Sequence, residues 1–308
     1  GLAKLNQTSQ SSNDPTRNDV RIMMYDSSWE LFLEKPIFGY GIGQFQPVWH
    51  DKKAQYLADN PYAAILVPRL SHPHNELLYW AVEGGLVALS GILVLGLAFL
   101  KVCAGLGWQR GGAYLVLLLP ITLHTQVELP FYISQLHWLI FIVLIAIVAS
   151  HRVKRLAIPL SQMARATLPV LATIFFTHSL ISNRAILDYI VHPAKDIRKL
   201  DYPSHNIYFN QQAEFMRMQT LVQYGLKQNN IELLKSYIPW AQAALKQTPD
   251  VTLFAALSFA LHKIGEQQQS YAMLRRGLAI YPTTPLMLST KATLQQMDKD
   301  AGLTIGVP

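Results

Sequence analysis

The 308-residue chain is 51% hydrophobic but only 15% charged, with a net charge of +7 at pH 7. Soluble domains carry about 25% charged residues, so the composition predicts apolar segments that lie in a membrane. The Lys and Arg residues form no stripe interleaved with aromatic residues, which argues against a nucleic-acid partner. The single cysteine, Cys103, excludes an intramolecular disulfide and any cysteine-rich metal site.

The polar N-terminal stretch is followed by one predicted helix and a glycine-rich turn. Residues 1–18 are rich in Ser and Asn, which is typical of a flexible loop. A helix is expected to begin near Val20 and to end before Pro36, because proline disfavours helical backbone in the residue before it. Residues 38–45 contain three glycines. Without a preceding strand, these glycines indicate tight turns rather than a phosphate-binding loop.

Four apolar stretches predict helices that cross a membrane, and the expected fold class is therefore all-α. They lie at residues 77–100, 113–127, 131–150 and 166–181. The first is the longest, and about 20 apolar residues are needed to cross a bilayer core of roughly 30 Å. For the three shorter stretches, re-entrant or buried helices are the alternative. A soluble helical core is the alternative for the whole set.

The charges of the connecting loops predict the orientation of these spans. Residues 101–112 and 151–165 carry six Lys and Arg residues, whereas residues 128–135 carry none. The positive-inside rule assigns the two basic loops to the cytoplasm, so both ends of the chain lie outside, which is the periplasm in a bacterium. The expected domains are a periplasmic loop region (1–76), a transmembrane bundle (77–182) and a periplasmic tail (183–308).

The tail has the pattern of paired helices. Two helices are predicted at Val251–Ile264 and Gln267–Tyr281, separated at Gly265. Two Leu-x-x-x-Pro endings, which begin at Leu245 and Leu278, lie 33 residues apart. This spacing is close to the tetratricopeptide period of about 34 residues. The tail is therefore predicted to be a helical-repeat, TPR-like domain that packs on the membrane part or binds a protein partner.

A short acidic pattern lies near the end of the tail. Residues 298–300 (Asp-Lys-Asp) match the Asp-x-Asp pattern of nucleotide-sugar enzymes. The match is short, and charged runs are typical of solvated surfaces. We therefore expect these three residues to face solvent.

The most informative polar stretch lies directly before the first predicted span. It places His72, His74, Asn75 and Glu76 at the outer mouth of the helix bundle. An imidazole titrates near neutral pH and can accept the proton of a hydroxyl group. A metal site formed by the two histidines with Glu76 as third ligand is the competing interpretation, and interfacial polar residues without a role are another. We expect neither a metal nor another cofactor.

Ionisable residues within predicted spans are costly unless they are used or paired. Glu83 lies about two turns into the first span. Glu128 lies at the outer end of the second span and follows His124 by four residues, so these two side chains are expected to pair. A structural pair and a catalytic pair are both open. Arg21, on the predicted outer helix, can face the membrane mouth.

The polar stretch and the glycines after it resemble a known signature. His74-Asn75, followed after nine residues by Gly85, is similar to the His-[Asn/Ser/Gln]-x9-Gly-x-x-[Gly/Thr/Tyr] pattern of bacterial O-antigen ligases and their relatives. Ala88 departs from the last position of that pattern. The likeness therefore covers the residues that precede and begin the first span.

Further segments strengthen the resemblance. Arg21 and residues 35–41 look like the Arg…hPhhGhG segment of the same superfamily, in which h is an apolar residue. Residues 72–76, residues 127–132 and the long helical tail most resemble the pilin-glycosylating O-oligosaccharyltransferase branch. The whole layout of outer loop, His-bearing entry to a span and outer tail is similar as well.

The resemblance implies a metal-independent enzyme of the bacterial inner membrane that moves a glycan from undecaprenyl diphosphate to Ser or Thr hydroxyls in the periplasm. His74 would be the general base, and Arg21 would bind the diphosphate. Asn75 would orient His74 or the substrate. The remaining candidates for substrate binding are His72, Glu76, Glu128 and Tyr132. The expected partners are the lipid-linked glycan, an acceptor protein such as a pilin, and membrane lipids.

Other functions share these features. An O-antigen ligase that uses lipid A core, or an O-antigen polymerase, would use the same fold and the same chemistry. A transporter or a membrane-anchored repeat adaptor would also have apolar spans and a helical tail, but it would not need the spacing between His74 and Gly85. Because the sequence begins at Gly1 without a Met, we expect further spans upstream, and we expect this stretch alone to be inactive.

Overall fold

The computed structural model describes residues 20–60, 70–151, 162–192 and 196–302, apart from the side chains of residues 20–22, 132–133, 135, 162–166 and 168. Within these residues the chain is helical and has no β strand. The all-α prediction is therefore confirmed for the part of the chain that is described.

The helices follow one another with short connections. Those up to residue 191 are α1 (Val20–Glu34), α2 (Phe45–Asp59), α3 (Glu76–Gly105), α4 (Gly107–His124), α5 (Pro130–Ile133), α6 (Gln135–Ser150) and α7 (Gln162–Val191). A 3-10 helix (Ile197–Leu200) precedes α8 (Asp201–Ser204), α9 (Asn210–Gln228), α10 (Ile231–Gln247), α11 (Val251–Lys263), α12 (Gln267–Ile280) and α13 (Pro285–Asp300).

Several predicted helix boundaries agree with the structure. α1 ends at Glu34, before Pro36. α11 and α12 each end one residue before the predicted end, and Gly265 between them adopts a φ of 90°. Glycine adopts this left-handed region without the steric penalty of a Cβ atom. The TPR-like character of the tail stays a prediction.

Among the described residues, two helices are long and apolar enough to cross a membrane. They are α3, with 30 residues, and the Pro169–Val191 part of α7, with 23 residues. Most apolar side chains of α3 are exposed on this chain, as expected for a helix that faces lipid. α4 and α6 coincide with the second and third predicted spans, but they do not meet the same length and composition criteria. The count of four spans therefore stays a prediction.

An apolar cluster joins α1, α2 and the first turns of α3. Met23 and Met24 of α1 pack with Phe45 and Trp49 of α2 and with Val82 of α3. Burial of large apolar side chains is the main favourable term in such packing. The cluster fixes α1 and α2 over the beginning of α3, the long apolar helix.

The chain forms two compact units, and part of the tail belongs to the first. This unit comprises residues 1–155, 244–254 and 275–289. Within it, Arg276 Nη2 lies 3.1 Å from Asp51 Oδ1. Lys53 Nζ lies 4.7 Å from the centre of the Tyr281 ring. Residues 275–289 of the tail thus pack directly on α2.

The second unit comprises residues 156–243, 255–274 and 290–308. In this unit Asp298 is only 4% exposed. Its carboxylate accepts a hydrogen bond from the Tyr271 hydroxyl, and His262 Nε2 lies 3.5 Å from Asp298 Oδ1. The prediction that residues 298–300 all face solvent is wrong for Asp298.

The burial of Asp298 follows from the periodicity of α13. Thr290, Leu294 and Asp298 lie four residues apart, and each is buried. Positions with this spacing share one face of a helix. Lys299 and Asp300 lie on other faces and are exposed.

Candidate active site

The N-terminus of α3 is fixed to the turn that follows α4. Asn75 caps α3, because its Oδ1 accepts a hydrogen bond from Leu78 N at 2.9 Å. The Asn75 side-chain nitrogen donates to Gln126 O at 3.2 Å. Glu76 N donates to Thr125 O at 2.8 Å. These bonds hold the turn after α4 against the residues that precede α3.

His74 lies in an uncommon backbone conformation. Its φ is 50°, in the left-handed region, which costs a residue with a Cβ atom about 1–2 kcal/mol. Such strain persists where the surrounding structure enforces it, and it occurs often at functional sites. Here the capped helix follows His74 directly, and Pro73 restricts the backbone before it.

The imidazole of His74 is oriented by Glu128, 54 residues later in the chain. The Nδ1 atom lies 2.9 Å from Glu128 Oε1 and 3.0 Å from Glu128 Oε2. An ionised carboxylate can only accept hydrogen bonds, so Nδ1 is the donor. The neutral ring then carries its lone pair on Nε2.

The Nε2 atom of His74 is available to a substrate. No described residue forms a hydrogen bond with it, and the His74 side chain is 29% exposed. A histidine whose Nδ1–H is held by a carboxylate and whose Nε2 is open has the arrangement of a general base in a catalytic triad. The geometry can therefore accept a proton from a hydroxyl group.

Glu128 is held in its charged form. Burial raises its pKa, but hydrogen bonds from Leu129 N and from His74, together with the nearby His74 and His72 rings, outweigh this effect and leave the pKa below its ordinary value. At neutral pH the carboxylate is ionised, as the assignment of His74 Nδ1 as the donor requires.

His72 completes the cluster. Its Nε2 lies 3.7 Å from Glu128 Oε1, and its ring centre lies 4.4 Å from that of His74 at an interplanar angle of 84°. Burial lowers the pKa of His72, and the neighbouring His74 lowers it further. His72 is therefore neutral at neutral pH.

Glu76 lies apart from this cluster. The three side chains that approach one another are those of His72, His74 and Glu128, whereas the Glu76 carboxylate interacts with Trp80. The sequence suggested Glu76 as a third ligand beside the two histidines, but in the structure the third side chain of the cluster is Glu128. A role of Glu76 in substrate binding stays a prediction.

The predicted pair of Glu128 with His124 is wrong. Glu128 N donates to His124 O at 3.0 Å, but the Glu128 side chain bonds His74. The His124 ring packs instead on His137, with ring centres 5.4 Å apart. The i,i+4 spacing pairs side chains only while a helix continues, and α4 ends at His124. In the sequence, Glu128 was singled out by its position at the end of an apolar span and by the resemblance of residues 127–132, and neither signal pointed to His74 as its partner.

The glycine-rich segment 35–41 and the segment from His74 to Gly85 meet at a break in α3. The break lies at Gly85, which has φ 59° and ψ −154°. Residues 36–41 pair with residues 82–87 through four backbone hydrogen bonds: Tyr40 N to Val82 O (2.9 Å), Gly41 N to Glu83 O (2.9 Å), Leu86 N to Pro36 O (2.7 Å) and Val87 N to Ile37 O (3.2 Å). The loop thus satisfies backbone groups that the break removes from the helix, which irregular backbone in an apolar setting requires.

Two glycines make this close approach possible. A Cβ atom on Gly39 would lie 2.5 Å from the carbonyl of Glu83. A Cβ atom on Gly85 would lie 2.5 Å from Ile37 O. Both distances are shorter than any stable contact with backbone atoms, so a side chain at either position would push the two segments apart. Glycine at residues 39 and 85 therefore allows residues 36–41 to pair with residues 82–87, and we call this pairing the interlock.

Glu83 has a structural contact within this interlock. Its side chain is 1% exposed, and Oε1 accepts a hydrogen bond from Phe45 N at 3.0 Å. Phe45 is the first residue of α2, and a carboxylate at a helix N-terminus is favoured by the helix dipole. This contact gives Glu83 a partner, as expected for an ionisable residue within a predicted span.

Two further site candidates lie outside the described side chains. The backbone of Arg21 belongs to α1 and that of Tyr132 to α5. The predicted approach of Arg21 to His74 therefore stays a prediction.

Comparisons with known proteins identify the family. Residues 2–93, which include His74 and both interlocked motifs, match the family model of O-antigen ligases. Residues 113–294, more than half of the chain and including Glu128, match the C-terminal model of virulence factor membrane-bound polymerases. Neither the curated proteins nor the solved structures include a significant match. The chain therefore belongs to the membrane-bound polymerase family within the O-antigen ligase superfamily, and its function is glycan transfer of the ligase or polymerase type.

Proposed function

We propose that this protein transfers a glycan from undecaprenyl diphosphate to a Ser or Thr hydroxyl of a periplasmic protein such as a pilin. The observation that carries the proposal is the His74 imidazole, whose Nδ1 is bonded to Glu128 while Nε2 is open. This imidazole lies two residues before α3, the longest apolar helix. A base at that point can reach both a lipid carrier and water.

The proposed reaction is a single displacement. The acceptor hydroxyl gives its proton to His74 Nε2 while its oxygen forms a bond to the anomeric carbon of the sugar. The bond from that carbon to the phosphate oxygen breaks, and its electron pair leaves with undecaprenyl diphosphate. One displacement of this kind inverts the anomeric carbon. Glu128 stabilises the imidazolium that forms at His74, as the aspartate of a catalytic triad does.

The other candidate residues have roles around this step. Arg21 binds diphosphate oxygens and stabilises the charge that builds up on the leaving group. Asn75 positions His74 by capping α3 and by holding the turn that carries Glu128. In this proposal His72, Glu76 and Tyr132 contact the donor or the acceptor.

The proposal places the site at the periplasmic face of the inner membrane. The six Lys and Arg residues of the two basic loops support this orientation. The packing of the tail on α2 supports a tail on the same side as the site. Helical tails of this kind commonly present surfaces that bind polypeptides, which favours a protein acceptor.

The test is transfer by the full-length protein, purified in detergent, with lipid-linked glycan and a candidate acceptor protein. We expect His74→Gln to reduce transfer by about 10²–10⁴-fold, the usual contribution of a general base. The matched control is His124→Gln, which removes a histidine near the same turn without removing the base. Transfer by His74→Gln near the wild-type rate, at equal protein level, would contradict the proposal.

A second candidate is an O-antigen polymerase, in which the acceptor is another sugar. The match of residues 113–294 to membrane-bound polymerases favours it. Mass spectrometry of periplasmic proteins from cells with and without the gene separates the two. Loss of sugar from Ser or Thr supports protein transfer. Loss of the lipopolysaccharide ladder without a change in the proteins supports a polymerase or a ligase that uses lipid A core.

A further inference from the structure

The side chains of His72, His74 and Glu128, here called the His-His-Glu cluster, converge on one point. One ligand atom from each residue lies within 4.8 Å of the others. Two imidazoles and one carboxylate form a donor set that zinc uses in sites with three protein ligands and one open position. No other group of this kind is found among the described residues.

The distances within the cluster fit a small ion after a modest adjustment. His74 Nδ1 lies 2.9 Å and His72 Nε2 lies 3.7 Å from Glu128 Oε1. In a tetrahedral zinc site with bonds of about 2.1 Å, ligand atoms are about 3.4 Å apart. The His74 and Glu128 side chains are 29% and 30% exposed, so an ion can reach them from solvent.

The hydrogen bonds that surround the cluster also suit a bound ion. Leu129 N donates to Glu128 Oε1 at 3.1 Å, and Asn75 holds the turn that precedes Glu128. Hydrogen bonds to ligating carboxylates orient metal sites and increase their affinity. The carboxylate would therefore keep its position when an ion replaces the proton between Glu128 and His74.

We propose that Zn²⁺ binds the His-His-Glu cluster and inhibits glycan transfer. Zinc bonds to the Nδ1 lone pair of His74, and the ring proton moves to Nε2, so the neutral imidazole keeps one proton in total. Nε2 then has no lone pair to accept the proton of a hydroxyl group. The binding part of the proposal stands on the geometry alone, and the inhibition part rests on the proposed function.

The binding test uses the full-length protein in detergent, ZnCl₂, and competition with a chromophoric zinc chelator. We expect one zinc ion per chain, and an affinity that falls at least about tenfold in His72→Ala and in Glu128→Gln. His205→Ala is the matched control, because His205 is an exposed histidine that bonds Asp201 O, and it should bind zinc as the wild type does.

A second measurement guards against misfolded variants. Zinc should raise the thermal unfolding midpoint of the wild type and of His205→Ala. It should leave the midpoint of a folded His72→Gln variant unchanged. Zinc binding of wild-type strength in both His72→Ala and Glu128→Gln would overturn the proposal, and so would an absence of binding at micromolar zinc.

The inhibition test adds ZnCl₂ or EDTA to the transfer reaction. Loss of transfer with zinc and recovery with EDTA would support the inference. Transfer that continues when zinc fills the site, or transfer that requires zinc, would overturn the inhibitory part. A protein that binds zinc through the cluster but transfers no glycan in EDTA would leave the zinc site intact and would instead remove the proposed function.

Discussion

Each of the two compact units contains a histidine paired with a carboxylate, and the pairs differ in their access to solvent. In the first unit, the His74 and Glu128 side chains are 29% and 30% exposed. In the second unit, the His262 and Asp298 side chains are 7% and 5% exposed. The Tyr271 hydroxyl also donates to Asp298. The second pair is enclosed by helices, whereas the first leaves a ring nitrogen open.

The backbone under the two pairs differs as well. His262 and Asp298 lie on the regular helices α11 and α13. His74 has left-handed backbone, and Glu128 lies in the turn after α4. Irregular backbone on a rigid scaffold is where functional side chains concentrate. Residue types alone therefore do not separate a reactive site from a packing contact.

The largest expected effect comes from Glu128→Gln. The amide keeps the size of the side chain but no longer fixes the His74 tautomer or stabilises its charged form. We expect transfer to fall by about 10²–10⁴-fold while the fold persists. Transfer assays together with thermal unfolding in detergent check this expectation. A large loss of stability with little loss of transfer would mean that the contact between His74 and Glu128 only stabilises the fold, as the contact between His262 and Asp298 is expected to do.

The next largest effect concerns the break on which the first unit depends. In Gly85→Ala the new Cβ lies 2.5 Å from Ile37 O at a φ of 59°. We expect destabilisation of about 2–4 kcal/mol from the contact and the left-handed backbone. Gly91→Ala on the same helix is the control, because no atom lies within 4 Å of its added Cβ. Equal unfolding midpoints for the two variants would mean that the interlock with the loop is absent.

Asp298→Ala tests the enclosed pair. Removal of the carboxylate leaves the Tyr271 hydroxyl and His262 without this partner in a buried setting, and we expect a loss of about 1–3 kcal/mol in the free energy of unfolding. Asp300→Ala, two residues later and exposed, should change it by less than about 0.5 kcal/mol. Chemical denaturation of the two variants measures the difference. A reduced rate constant of transfer in the folded Asp298→Ala protein would instead give this pair a role in the reaction.

The smallest effect is the pH dependence of the Glu128 contact. The pKa of Glu128 lies below its ordinary value of 4.5 in the folded protein, so folding favours the ionised form. Its contribution to stability is complete above the ordinary pKa and is lost as the pH falls through the lowered value. The difference in unfolding free energy between wild type and Glu128→Gln should shrink as the pH falls below the ordinary carboxyl value. A difference that stays the same down to the acid-unfolding range would contradict the lowered pKa.

Local signals predicted much of the fold. The end of α1 at Glu34 and the boundaries of α11 and α12 follow from short patterns of proline, glycine and apolar residues, because helix ends depend on residues within one or two turns. The apolar run that begins at residue 77 likewise predicted α3. The number of membrane spans was harder to predict from the sequence, because α4 and α6 are short and neighbouring helices decide whether such helices cross a membrane.

Long-range contacts account for what the sequence did not predict. The bond between His74 and Glu128 joins residues 54 positions apart, and it exists because Asn75 and Glu76 hold the turn after α4. The spacing of Glu128 from His124 suggested a helical pair, but it carried no information on where α4 ends. The burial of Asp298 could have been found from its spacing to Leu294.

The amino-acid sequence by itself determined that the chain is helical, where α3 begins, and that a histidine stands before it with glycines at defined distances. These features depend on the transfer of apolar side chains out of water and on the backbone preference of each residue, and both act locally along the chain. Only the tertiary structure decided that residues 36–41 fill the break at Gly85, that Glu128 rather than His124 or Glu76 meets His74, and that Asp298 is enclosed. Each of these outcomes requires segments distant in the chain to approach within hydrogen-bonding distance, and the packing of whole helices sets that approach.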